Sequence, residues 1–156
     1  MIQRPQTLFL LGTAISMIIS LSTTFWIYQE DGISAELTAF TLEVINNGEV
    51  LESKSVFYIA VAGILSVAVA LFVIFQYRNR KLQARLNSLN MILITAYITF
   101  VAFLSLPEIF EIIGEEVQGD FEMGFYFPVV AIVCNFLANM FIRKDDRMVQ
   151  SADRFR

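Results

Sequence analysis

Four stretches of the chain are apolar almost without interruption, and the polar residues are gathered between them. The first runs from Thr7 to Ile27 and the second from Ser55 to Tyr77. The third begins after Arg85 and ends at Leu106, and the fourth runs from Met123 to Ile142. About 20 apolar residues, each rising ~1.5 Å along a helix, cross a hydrocarbon core of about 30 Å. Each stretch therefore predicts a transmembrane helix, with spans at about 7–27, 55–77, 86–106 and 123–142. Trp26 and Tyr28 close the first as interfacial aromatics, and Phe125, Tyr126 and Phe127 open the fourth. A cleaved leader fits the first run poorly, because the run exceeds a leader's ~7–15-residue apolar region and no A-x-A-like site follows. Pro107 predicts the end of the third helix. A fourth helix beginning only at Pro128 would be too short, so it should start a turn earlier and bend at that proline.

The intervening segments carry their own patterns. Leu37 to Ile45 is rich in β-branched and apolar residues, and Asn46-Asn47-Gly48 and Val50-Leu51 follow. An Asn-Gly pair between two such segments signals a hairpin, because both positions must tolerate positive φ. After Pro107, the residues Ile109, Phe110, Ile112, Ile113 and Val117 predict a short amphipathic helix on the membrane surface, interrupted by Gly114. The tail 143–156 places Met148, Ala152 and Phe155 on one helical face, as if the fourth helix ran on past the bilayer.

Composition agrees with this pattern. The chain is 56% hydrophobic, against ~45–50% for a soluble domain, and its mean hydropathy is +0.63. The expected fold is an all-α membrane protein: one integral domain over residues 1–156, built as a four-transmembrane-helix bundle. A small extracytoplasmic β-hairpin is expected between the first two helices.

Charge supplies an orientation. Every basic residue except Lys54 falls on one side of the four runs: Arg4, Arg78, Arg80, Lys81, Arg85, Arg143, Lys144, Arg147, Arg154 and Arg156. The other side is acidic, with Glu30, Asp31, Glu36, Glu43, Glu49 and Glu52 in one loop and Glu108, Glu111, Glu115, Glu116, Asp120 and Glu122 in the other. Short cytoplasmic loops collect Lys and Arg, so both termini should be cytoplasmic.

Helix association in lipid rests on close backbone approach and interhelical hydrogen bonds, since lipid tails are as apolar as leucine. Gly12, Ser16 and Ser20 recur at i+4 in the first helix, and Ala62, Ser66 and Ala70 do so in the second. These stripes suggest a seam between the two helices. Asn135 and Asn139 share a face of the fourth helix, while Asn87 and Asn90 lie at a similar depth in the third.

Candidate chemistry is sparse. The single cysteine, Cys134, can form no intrachain disulfide, and there is no histidine to serve as metal ligand or proton shuttle. No ionisable residue lies deep in a span, which weighs against a proton-coupled path. Glu108 with Glu111, or Glu115 with Glu116, could form a carboxylate pair, but a solvated acidic surface is the simpler reading. The basic turn at Arg78, Arg80 and Lys81 could meet anionic headgroups, though orientation alone explains it. Orientation does not require the two acids in Lys144-Asp145-Asp146-Arg147. They would either pair across the cytoplasmic face or offer a mixed-charge docking surface.

Three segments carry a resemblance. They are Met1-Ile2-Gln3-Arg4 with Gln6-Thr7, Tyr77 to Gln83 with Arg85-Leu86, and Leu137-Ala138-Asn139 through Ile142 to Asp146, continuing to Val149, Ser151 and Asp153 to Arg156. Together they resemble the uncharacterised four-span membrane proteins of the Bacteroidetes grouped as domain of unknown function 4293. Pro5, Asp146 and Phe155 depart from that pattern only slightly. The resemblance implies a bacterial inner-membrane location and a four-helix fold, and it carries over no catalytic or binding residue.

The sequence thus leads to a non-enzymatic accessory or scaffolding subunit with no cofactor and no metal. Its partners would be membrane lipids and one protein, with no nucleic acid. Its interaction face would comprise Arg4, Arg78, Arg80, Lys81, Arg85, Arg143, Lys144, Asp145, Asp146, Arg147, Asp153 and Arg154. Helix packing would fall to Gly12, Ser16, Ser20, Ala62, Ser66, Ala70, Asn90, Asn135 and Asn139. A small transporter or lipid-binding protein with an interhelical pocket is the alternative.

Overall fold

A computed structural model of the chain describes residues 5–30, 32–76, 79–113 and 119–154. Helix α1 (Pro5–Ser22) leads into four strands, β1 (Trp26–Glu30), β2 (Ile33–Leu37), β3 (Thr41–Asn46) and β4 (Glu49–Ser55). Helix α2 (Phe57–Phe75) returns, and α3 (Arg80–Thr99) goes back through a π-helical stretch, Phe100–Ser105, into α4 (Leu106–Ile113). A two-residue strand β5 (Asp120–Phe121) precedes the long α5 (Met123–Arg154). Four helical segments are long and apolar enough to cross a membrane: Pro5–Ser22, Phe57–Phe75, Arg80–Ile113 and Met123–Met148.

The expectation of an all-α bundle with one small hairpin is overturned. The strands form a five-stranded antiparallel sheet in the order β4-β3-β2-β1-β5. The Asn-Gly turn is present, with Asn47 at φ 51° and Gly48 at φ 86° between Asn46 and Glu49, but it joins only β3 and β4. Two features had hidden the rest. Trp26 and Ile27 read as the end of the first span, whereas α1 stops at Ser22. There the hydroxyls of Ser22 and Thr23 fold back onto the carbonyls of Ile18 and Ile19, and the chain turns into β1. The other hidden strand, β5, comes from the distant second loop and pairs Trp26 with Phe121.

The sheet has one dry face. Trp26, Ala35, Leu37, Leu42 and Val44 are fully buried, while Glu36 and Glu43 point outward, the period-2 alternation of a half-buried sheet. That face packs on Val56, Ile59 and Ala60 from the start of α2 and on Ile109 of α4. The Trp26 indole meets Phe110 edge-on, with centroids 5.9 Å apart at 88°. Each large side chain buried in this way contributes roughly 1.5–3 kcal/mol of transfer free energy.

Helix α4 reaches the sheet because Pro107 does not end the third helix. Proline removes an N–H and crowds the carbonyl four residues back. The preceding turn is π-helical, with the Leu106 N–H bonded to the Val101 carbonyl five residues back. That wider turn accommodates the proline, so the helix continues to Ile113 along the sheet. In the fourth helix, α5 does begin before Pro128, at Met123.

Candidate functional site

The end of the bundle opposite the sheet is held by amides. Asn79 begins α3, its side-chain oxygen accepting from the Leu82 N–H at 3.1 Å, which satisfies one orphan donor of the first turn. Gln83 is buried and donates its amide to the Val73 carbonyl at 3.0 Å, closing the α2–α3 corner. One turn on, Asn87 and Asn135 clasp each other reciprocally. The Asn87 amide donates to the Asn135 backbone carbonyl at 2.9 Å, and the Asn135 amide donates to the Asn87 carbonyl at 3.1 Å. Asn90 donates to the Asn135 side-chain oxygen at 3.3 Å. Asn139 donates to the Ser88 hydroxyl at 3.4 Å and accepts from the Arg143 guanidinium at 3.2 Å. Gln83, Asn87 and Asn90 lie at i, i+4 and i+7, one face of α3 turned inward.

Beyond these amides the charged residues gather. Arg80 donates from Nη1 to the Asp145 backbone carbonyl at 2.8 Å, tying the start of α3 to α5 where α5 leaves the apolar region. Lys81, Ala84, Arg85, Ser88, Leu89 and Ile92 on α3 face Arg143 and Asp146 on α5 across a groove of about 520 Å³. Lys144 and Arg147 are exposed beside it, and Asp145 and Asp146 are half-buried. So Arg80, Lys81, Arg85 and the Arg143–Arg147 segment, all named from sequence, form one surface. Arg4 and Arg78 lie outside the described residues. Asp153 and Arg154 fall on the last turn of α5, where the side chains are outside the description.

The small-residue stripes are used differently from a simple seam between the first two helices. Gly12 faces the Cys134 sulfur of α5, where an added Cβ would lie 3.2 Å away. α1 packs more extensively on α5 than on α2. Ser16, Ala62, Ser66 and Ala70 are all buried. Ser20 sits at a three-helix junction: its hydroxyl donates to the Gly124 carbonyl of α5 at 2.6 Å and lies 2.9 Å from the Tyr97 hydroxyl of α3. The Gly124 carbonyl is the one that Pro128, four residues on and lacking an N–H, leaves without its helical donor. Ser20 replaces that missing donor. Gly124 has no room for a side chain, since a Cβ would lie 2.5 Å from the Thr24 carbonyl oxygen and 2.6 Å from the Phe25 ring.

Sequence reasoning missed Gln83, Tyr97 and Gly124. Gln83 was detectable as the first member of the amide stripe. Tyr97 and Gly124 carried no pattern of their own, because their roles depend on where three helices meet.

At the sheet end, Lys54 on β4 pairs with Glu108 on α4. This explains the one basic residue that breaks the charge pattern: on an edge strand, paired opposite Leu42, its exposed side chain meets an acid. The hydrogen bond and charge of Glu108 raise the Lys54 ammonium above its ordinary pKa. Glu115 and Glu116 lie outside the described residues. Among the described residues, no three His, Cys, Asp or Glu side chains come together as a metal site.

One family model matches the chain over residues 2–155, and its description is Domain of unknown function (DUF4293). No curated protein matches the chain.

Proposed function

Since the chain belongs to the DUF4293 family, we propose its role from its own geometry: a non-enzymatic accessory or scaffolding subunit of a bacterial inner membrane. Both termini face the cytoplasm and the sheet faces outward, an orientation supported by the basic and acidic partition of the loops. The observation that carries the proposal is the projecting end of α5. The helix runs to Arg154, twelve residues past Ile142, or about 18 Å at ~1.5 Å per residue. Its base is anchored by the Arg80 bond to Asp145 and by the Phe9–Phe141 ring stack at 5.4 Å. The charges just past that anchor, Lys144 and Arg147 with the two aspartates, are both cationic and anionic. A mixed surface of this kind discriminates between partners through charge complementarity more than it adds raw affinity.

The test is site-specific photocrosslinking in native membranes from a photoreactive residue at Arg147. One stoichiometric crosslinked protein is expected, and Asp145→Asn/Asp146→Asn should reduce the adduct while leaving insertion normal. Absence of any adduct, or an adduct unchanged by the double substitution, rejects the docking role. The second reading, a lipid-binding or small transport protein, draws its support from the α3–α5 groove.

A further inference from the structure

The α3–α5 groove combines three features. The first is charge. Lys81, Arg85 and Arg143 bring three cations to its lining against the single carboxylate of Asp146. The second feature is order along the helix. Lys81, Arg85, Ser88, Leu89 and Ile92 follow one another down one face of α3 from its charged start. The lining therefore changes from cationic to hydroxylic to apolar over about three helical turns. Leu89 and Ile92 are 46% and 65% exposed and continue the lining as an apolar strip. The third feature is depth. The cations sit where the apolar runs 86–106 and 123–142 begin and end, while Leu89 and Ile92 lie inside the third run.

A ligand fitting all three carries a phosphate-like anion at one end and an aliphatic chain at the other, oriented along the bilayer normal. We propose that the groove is a binding site for one anionic glycerophospholipid. Its phosphodiester lies between Arg85 and Arg143, with Lys81 alongside. Arg143 is already oriented by its bond to Asn139, whose amide is in turn held at Ser88. Arg presents a planar fork of donors that suits two phosphate oxygens. The Ser88 hydroxyl stands at the level of the ester linkages, and an acyl chain runs over Leu89 and Ile92. The volume, about 520 Å³, lies in the range of ligand sites and suits a headgroup with the start of one chain. Only the leaflet, the cytoplasmic one, rests on the orientation proposed above. The site itself depends on neither the orientation nor the docking role of α5.

The probe is dioleoyl-phosphatidylglycerol, titrated into the full-length protein in a neutral detergent and followed by native mass spectrometry. Dioleoyl-phosphatidylcholine and inorganic phosphate serve as competitors. One saturable phosphatidylglycerol is expected, displaced by neither competitor at equal concentration. Arg85→Gln/Arg143→Gln should weaken it on the order of thirtyfold, as the removal of two surface cations implies. Lys144→Gln/Arg147→Gln, which removes the same charge outside the groove, should leave it unchanged. Three outcomes overturn the proposal: phosphatidylcholine binding equally well, both double variants losing affinity alike, or inorganic phosphate displacing the lipid. The last would reassign the groove to a small anion.

Discussion

The two ends of the molecule are assembled by different forces. At the sheet end, Trp26, Phe25, Leu37 and Leu42 form a dry apolar core with Ile59 and Ile109, as a water-soluble domain would. At the opposite end the apolar cluster is small, Leu10, Val73, Ala138 and Ile142, and Asn87, Asn90, Asn135 and Asn139 form hydrogen bonds between α3 and α5. The proposed placement in a membrane accounts for the contrast. Apolar burial drives assembly where the alternative is water. It does little where the alternative is lipid, and there hydrogen bonds and close backbone approach decide which helices meet. The comparison predicts that one end fails by losing area and the other by losing specific bonds.

The largest effect should therefore come from Trp26→Ala. Removing a fully buried indole from the sheet core should cost about 3–5 kcal/mol. Circular dichroism should show strand signal lost well before helix signal on heating. Loss of both signals together would mean that the two ends form one cooperative unit.

Asn135→Leu comes next. It removes the centre of the clasp and leaves the Asn87 carbonyl and the Asn90 amide without their partner. At ~0.6 kcal/mol per intramembrane bond, plus the orphaned groups, the loss should be about 2 kcal/mol in a denaturant titration in detergent. Asn139→Leu, at one edge of the network, should cost only about 0.6 kcal/mol. Equal effects at the two positions would contradict the assigned geometry.

The smallest effect belongs to the exposed Lys54–Glu108 pair, since surface pairs contribute little. Glu108 raises the folded-state pKa of Lys54, so the pair's contribution is present below the ordinary lysine pKa and is lost as pH rises through the raised value. Lys54→Met should therefore melt slightly lower than the parent at neutral pH and converge with it at strongly alkaline pH. A gap that widens with alkalinity would reverse the assignment.

The helices were legible because a span is a long one-dimensional signal. The hairpin at Asn47-Gly48 was legible for the opposite reason, being a short signal that demands a particular backbone. The rest of the sheet was not. Trp26 and Ile27 have the same apolarity whether they end a helix or start a strand, and the Thr23-Thr24 turn that decides it is short. β5 depends on pairing between residues about 95 positions apart, Trp26 with Phe121, for which a single sequence gives no cue. Pro107 misled because a π turn can absorb a proline, a compensation no local pattern announces. At the charged end, the spacing of Asn87, Asn90, Asn135 and Asn139 revealed that amides meet. The Gln83 corner and the Ser20–Tyr97–Gly124 junction emerged only with the packing.

The central claim is that the helices span a membrane, with the sheet in the outer aqueous phase and the charged ends of α3 and α5, Lys81 and Arg143 to Arg147, on the cytoplasmic side. It is tested most directly in a Cys134→Ala background carrying Glu49→Cys at the start of β4 or Arg147→Cys on α5, both exposed positions. A membrane-impermeant maleimide is applied to spheroplasts and to inverted vesicles. Labelling at position 49 only in spheroplasts and at position 147 only in inverted vesicles is the predicted result. The reverse pattern, or both sites labelled from the same side, would contradict the account.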